Sequence, residues 1–384
     1  MVTEARQAAL AVVRPYLRGY SALIFCNNDL AGLLILAVTF LRPEVGAAGL
    51  LSAVVAYLTA RHLGYAEVEQ PPEIYNALLV GLELGAIWQM TPLMIAIIVV
   101  TAMVTAIATH VLAVWLWRFD RLPVMSLTFV LIMWAFLLVA RDTETLPLAN
   151  HVPFPAFSPH WLNDFFSTLG WFLATPHPAA GLAMFLAMLV TSRYLALLCV
   201  SGYLVGVAVV WALGSSVSPG VVGYNFMLAP MAVAGLFAFP DRISFLWGLF
   251  AALISAVLVI AFTGPLSGVH LPPLAAPFLF ASYLVMAGLS SRPGGRSPHL
   301  LLHAPALPER SLLAARLARA RLGEPGSYPV LLPCFGTWKI SQGIDGPHTH
   351  RGPWRDAFDF IIVDEQGHSF RGDSARLGSY HAFG

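Results

Sequence analysis

IYNALLVGLELG (residues 74–85) and GYNFMLAPMAVAG (residues 223–235) are two versions of one phrase. Laying Asn76 on Asn225 sets an offset of about 149 residues. The same offset lays Gly32 on Gly181, in CNNDLAGLL against ATPHPAAGL, and Leu122-Pro123 on Leu271-Pro272, in LPVMSLTF against LPPLAAPF. Three separate motifs at one spacing mark a duplicated unit. The polar stretch 141–163 is then the hinge between copies.

Around these motifs the chain is apolar. Runs lie near 20–41, 46–63, 74–90, 92–117 and 122–140, and again near 165–190, 194–213, 221–239, 243–263 and 270–289. A bilayer core of about 30 Å takes about 20 helical residues. Several runs suffice; those near 74–90 and 221–239 are short and carry Gly, Pro and Asn, as discontinuous membrane helices do. Across the 384 residues, 58% are hydrophobic and 11% charged, with a mean hydropathy of +0.74. Soluble domains carry about 25% charged residues. The excess of apolar surface calls for lipid as solvent.

The expected fold is an all-α polytopic membrane protein of two repeats with about five transmembrane helices each. An odd repeat number inserts its second copy upside down, which places the functional site near the midplane. The segments are an amphipathic N-terminal helix (1–19), repeat 1 (20–140), an outer hinge loop (141–163), repeat 2 (164–290), a basic linker (291–326) and a short β-rich tail (327–384). Arg6, Arg14 and Arg18 precede the first span, and Arg292, Arg296, Arg310, Arg316, Arg319 and Arg321 follow the last. By the positive-inside rule both termini are cytoplasmic. The hinge, with Asp142, Glu144 and Asp164 against Arg141, suits the outer side.

The net charge of +1 and the single Lys339 exclude a nucleic-acid role. Cys26, Cys199 and Cys334 give neither a disulfide framework nor a zinc spacing, and read as small buried hydrophobes.

As an ordered, duplicated set, CNNDLAG, IYNALLVG and LPVMSLTF, with the weaker TPHPAAG, GYNFMLAP and LPPLAAPF, resemble the urea transporter family over about 20–290. The resemblance implies two inverted five-helix halves with pore half-helices, one pore per subunit, and a homotrimer in the cell membrane. It implies passive single-file passage of urea or a related small neutral amide, with no cofactor. Aromatic and leucine walls clamp the solute, which places Tyr75, Leu79, Phe129, Tyr224, Leu228 and Phe278 in the pore, with Asn76 and Asn225 at half-helix ends. The family's polar positions before each Asn-Asn-Pro element are Ala22 and Trp171 here, and its Thr is Ser126 in one half and Ala275 in the other.

Residue by residue, alternatives stay open. Asn76 and Asn225 suit helix caps as well as a pore. Ser126 and Thr128 point acceptors into a pore or bond their own helix carbonyls. Phe129 and Phe278 line a pore or face core and lipid. Glu83, inside an apolar run, faces a cavity, with possible proton coupling, or snorkels to an interface. His110 reads as interfacial, and Gly81 and Gly85 as close helix-packing residues.

The tail is of another kind. SLLAARLARARLG (311–323) is a short basic amphipathic stretch. Beyond it, alternation in AFDFIIV (357–363) predicts strands. GPHTHRGPWRDAFDF (346–360) resembles the opening of a lysostaphin-type zinc metallopeptidase, which implies His350 and Asp359 as metal ligands. His348 is a substitute ligand or a loop histidine. The family's downstream His-x-His does not follow before Gly384, so zinc is expected only if the tail is completed, and no peptidase activity is expected of this chain. The rival to transport is a membrane-anchored cell-wall metallopeptidase, truncated here, with the transporter-like part as anchor or sensor.

Overall fold

The computed structural model describes residues 13–65, 72–120, 122–141, 143, 145–150, 156–292, 297–301, 306–322, 338–355 and 357–380. Residues 1–12 with Arg6, Asp142, Glu144, Arg296, Cys334 and the start of the tail through 337 lie outside these. The chain forms two units, 1–317 and 318–384.

The first unit is helical. Helix α1 covers 13–22. It is followed by α2 (Asp29–Thr39), α3 (Pro43–His62), α4 (Pro72–Ile87), α5 (Pro92–Asp120) and α6 (Leu127–Ala140). Then come α7 (His160–Trp171), α8 (Pro178–Thr191), α9 (Arg193–Ala212), α10 (Pro219–Val222), α11 (Tyr224–Pro230) with a π-helical turn (Met231–Leu236), α12 (Arg242–Gly268) and α13 (Ala276–Ser290). Helix α14 (Pro308–Leu322) ends the helical part. Four helices, α3, α5, α9 and α12, are long and apolar enough to cross a membrane, and five shorter apolar helices accompany them.

Two of the apolar runs are not continuous helices. The run 20–41 breaks after α1, where Phe25 turns left-handed at φ 58°, and Asn28 caps α2 by accepting from the backbone N–H of Leu30 and Ala31. The run 165–190 breaks in the same way. Ala174 is left-handed at φ 53°, and His177 Nδ1 accepts from Ala179 N–H at the start of α8. Asn28 and His177 differ in type but do one job, satisfying orphan N–H groups of a helix that starts in apolar surroundings. Each break lets two helices touch at a glycine. A Cβ on Gly32 would lie 1.9 Å from Leu17 O, and one on Gly181 1.8 Å from Phe166 O.

The two short central helices differ. Helix α4 is unbroken over its 16 residues, against the expected interruption. Its glycines serve packing: a Cβ on Gly81 would meet Ser52 Cβ at 2.5 Å, and one on Gly85 would meet Ala48 Cβ at 2.6 Å. The counterpart is broken, because Pro230 has no N–H to give Phe226 O and the chain opens into the π turn.

Both presumed linkers fold back onto the helices. Gln89 N–H donates to Pro147 O, and Ala149 N–H to Ile87 O, each at 2.9 Å. Phe239 N–H donates to His299 O at 2.8 Å, and Leu301 N–H to Phe237 O at 2.7 Å. Glu309 of α14 caps α9, accepting from Ser192 Oγ at 2.9 Å and Tyr194 N–H at 3.3 Å. In α1, Arg14 and Arg18 reach Asp29 at 3.0 and 3.5 Å, so these arginines also anchor α2. Cys26 and Cys199 are free and buried.

In the second unit, β1 (Lys339–Gln342) pairs antiparallel with β2 (Asp359–Ile361) in register Lys339↔Ile361 and Ile340↔Phe360, with a bulge before Gln342↔Asp359.

Candidate functional site

Asn76 and Asn225 each tie a central helix to the start of a neighbour. Asn76 Nδ2 donates to Pro72 O at 3.0 Å and Met125 O at 2.8 Å, while its Oδ1 accepts from Phe129 N–H at 3.0 Å. Asn225 Nδ2 donates to Val222 O at 3.2 Å and Leu274 O at 3.0 Å, and its Oδ1 accepts from Phe278 N–H at 3.1 Å. Met125 and Leu274 are both left-handed, at φ 44° and 47°, which turns their carbonyls toward the asparagines. Both side chains are fully buried. Their amides are used up on backbone, so they position the turn and the first residues of α6 and α13.

The same turns are held from the opposite half. Tyr283 Oη of α13 donates to Val124 O, and Trp134 Nε1 of α6 donates to Pro272 O, both at 2.8 Å. Trp134 and Tyr283 stand at the repeat offset, so each half's turn is clasped by an aromatic donor from its partner. Neither residue was a sequence candidate, although the offset would have paired them. Tyr75 Oη adds a bond to Met125 O at 3.0 Å.

Helix α4 packs against α3, α5 and α6, and α11 against α9, α12 and α13. Of α4's 16 residues all are buried except Pro72, Tyr75, Glu83 and Ile87. At about 100° per residue these four share an arc of about 120°. At Tyr75 that arc meets the second half: Tyr75 Oη donates to Met125 O, and Tyr283 of α13 donates to the adjacent Val124 O. Of the expected wall residues, Tyr75 and Tyr224 keep accessible surface, while Leu79, Phe129, Leu228 and Phe278 are at most 4% exposed.

Ser126 and Thr128 begin α6 beside this arc. Neither hydroxyl has a hydrogen-bond partner, though both oxygens are buried. They do not bond their own helix carbonyls. A buried hydroxyl with no partner costs about 1–3 kcal/mol, which makes these oxygens acceptors in waiting.

Charged groups cluster at two places that the sequence did not pair. Arg42, 9% exposed, donates from Nη2 to Ala86 O at 3.2 Å and from Nη1 to Ala174 O at 3.5 Å; its Nε lies 3.3 Å from Glu44. It thus ties the end of α4 to the left-handed turn before α8, and its charge acts on Glu83. At the other end of α4, buried Glu73 meets His110 Nδ1 at 3.3 Å, and Tyr65 stacks on that imidazole at 3.7 Å. His110 is thus fixed by a partner. The signal that was available for Glu73 was a carboxylate opening an apolar helix.

In the tail unit, His350 and Asp359 do come together. His350 Nε2 lies 3.1 Å from Asp359 Oδ1, and Nδ1 donates to Gly343 O at 2.7 Å. Gln342 Nε2 donates to the other Asp359 oxygen at 3.1 Å. Two donors fall short of the three that a catalytic zinc takes. Among the described residues no group of three His, Cys, Asp or Glu is placed to hold a metal ion. Among the described residues, His350 and Asp359 by themselves do not make a zinc site.

The Gly343 carbonyl holds the His350 imidazolium above its ordinary pKa of 6.5, with Asp359 adding to the shift and desolvation opposing it. A raised folded value stabilises the acid form, so the contribution is full below 6.5 and lost as pH rises through the folded value. Hydrogen exchange at 339–361, corrected for intrinsic rates, is expected to quicken from about pH 6 to about pH 8. His350→Gln is expected to abolish that pH dependence; a dependence that survives it would assign the effect elsewhere.

The urea transporter family model matches residues 13–290. Urea transporter 1 of Rattus norvegicus is 25% identical over 302 residues, covering 72% of this chain and 77% of that protein. Urea transporter 1 of Ovis aries and of Capra hircus are each 26% identical over 309 residues, covering 74% of this chain and 79% of theirs.

Proposed function

Because the chain belongs to the urea transporter family, we propose that it passes urea or a closely related small amide passively across a membrane. The path runs between its two halves, one per subunit, along the accessible arc of α4. The halves are inverted copies, both termini lie in the cytoplasm, and the subunits form homotrimers. The chain works as a channel and not as an enzyme.

One observation carries this reading. A helix at the centre of an apolar bundle, buried on every other side, keeps its accessible residues on a single arc that meets Tyr283 of the other half around the turn at Val124 and Met125. Lipid does not supply that pattern, since a lipid-facing arc has no reason to carry Glu83. Ser126 and Thr128 add hydroxyl oxygens that no protein group uses. A neutral solute shedding water needs replacement hydrogen bonds, and weak ones, or it does not leave. Uncommitted hydroxyls meet that need.

Stopped-flow light scattering on proteoliposomes tests the proposal, comparing urea, formamide, acetamide and glycerol against empty vesicles. Fast, non-saturating urea influx is expected, indifferent to a pH gradient. Urea influx no faster than in empty vesicles overturns passive amide conduction, and influx that follows a pH gradient points to proton coupling instead.

Ser126→Ala and Thr128→Val are each expected to slow urea influx about three- to tenfold, the worth of one net hydrogen bond of about 1 kcal/mol. Thermal stability should hold or rise, because each removes a buried unpaired oxygen. A fall in stability with flux intact would make the hydroxyls structural.

A further inference from the structure

Glu83 is the one carboxylate on the accessible arc of α4. It is half-buried between fully buried Leu82 and Leu84, so its exposure belongs to the arc and not to a frayed helix end. The second half does not repeat it: the repeat offset lays Glu83 on Ala232, which is buried in the π turn. Any chemistry at this carboxylate is therefore one-sided, unlike the paired asparagine clasps.

The groups around it are specific. Arg42 supplies opposite charge from the start of α3, but its guanidinium is already shared among Glu44, Ala86 O and Ala174 O. Tyr224 of α11, which keeps accessible surface, is the second half's tyrosine at the repeat position of Tyr75. Among the described residues no hydrogen bond reaches the Glu83 oxygens. A carboxylate inside an apolar bundle persists where it meets a partner or a solvent-filled path. Here the partner is part-time, and the side chain keeps accessible surface.

Building on the conduction pathway proposed above, we infer that Glu83 is a specificity-determining residue: its carboxylate accepts N–H bonds from solutes with an amide NH2 edge and selects them over polyols of similar size. Two carboxylate oxygens match the two parallel N–H groups on one edge of planar urea, a rigid fork that a polyol matches only by freezing its rotatable hydroxyls. The competing pull of Arg42 keeps the acceptor weak enough for the solute to move on.

The test uses the full chain in proteoliposomes and reads the ratio of urea to glycerol influx. Glu83→Ala is expected to lower that ratio about tenfold, with urea slowed and glycerol within about twofold of the parent. Glu83→Gln keeps the shape but only one acceptor oxygen, so it is expected to fall between the parent and Glu83→Ala in the ratio. Were Glu83→Ala to fail to fold, with Arg42 left undercompensated, Glu83→Met and Glu83→Gln compared at equal melting temperature carry the test, with the Met variant losing the ratio. A ratio unmoved in Glu83→Ala or Glu83→Met while the parent conducts urea overturns this inference alone. A parent no faster than empty vesicles overturns the conduction reading, and this inference with it.

Discussion

Asn225→Leu is expected to cost the protein about 2–6 kcal/mol, and Asn76→Leu about 1–3 kcal/mol. Each leucine fills the space but leaves buried groups unpaired: Phe129 N in one half, where Met125 O keeps Tyr75 Oη, and both Leu274 O and Phe278 N in the other. Each such orphan costs about 1–3 kcal/mol when buried, and in an apolar bundle water is not at hand to replace the lost partner. Asp is no remedy, since it keeps the acceptor, loses the donor and brings a charge to a fully buried position. Melting followed by size-exclusion chromatography in detergent reads the loss. Curves that overlay the parent for both variants would show that these clasps do not hold α6 and α13 in place.

Gly32→Val and Gly181→Val are expected to be at least as damaging, with little folded protein recovered. The added Cβ would sit 1.9 and 1.8 Å from the carbonyl oxygens of Leu17 and Phe166, well inside contact distance. The obstacle is backbone, so no side-chain rotation relieves it, and α1 has to move off α2, or α7 off α8. Overpacking a core typically costs about 1–3 kcal/mol and more when nothing yields. Gly288→Ala serves as the control. An added Cβ there meets nothing within 4 Å, so the change should be neutral or stabilise by up to about 1 kcal/mol through helix propensity. Equal recovery of all three variants would refute the steric account.

These two sets of residues also mark how far the sequence could be read. Asn76, Asn225, Gly32 and Gly181 were picked out by spacing alone, because a duplicated unit keeps its special residues at one offset. Their roles were not legible. Whether an asparagine caps a helix or faces a path depends on which carbonyl lies within 3 Å, and Met125 O lies 49 residues away in the chain. Trp134, Tyr283 and Arg42 were missed because their partners sit 138, 159 and up to 132 residues off.

Composition by itself determined the membrane class and the helical content, since these follow from summed hydropathy. Tertiary structure decided where the apolar runs break, which oxygens are left uncommitted, and that Glu83 shares an arc with Tyr75. The physical reason is that hydrophobicity is additive along a chain. Hydrogen-bond satisfaction and exposure are properties of pairs and surfaces, which exist only once distant segments have met.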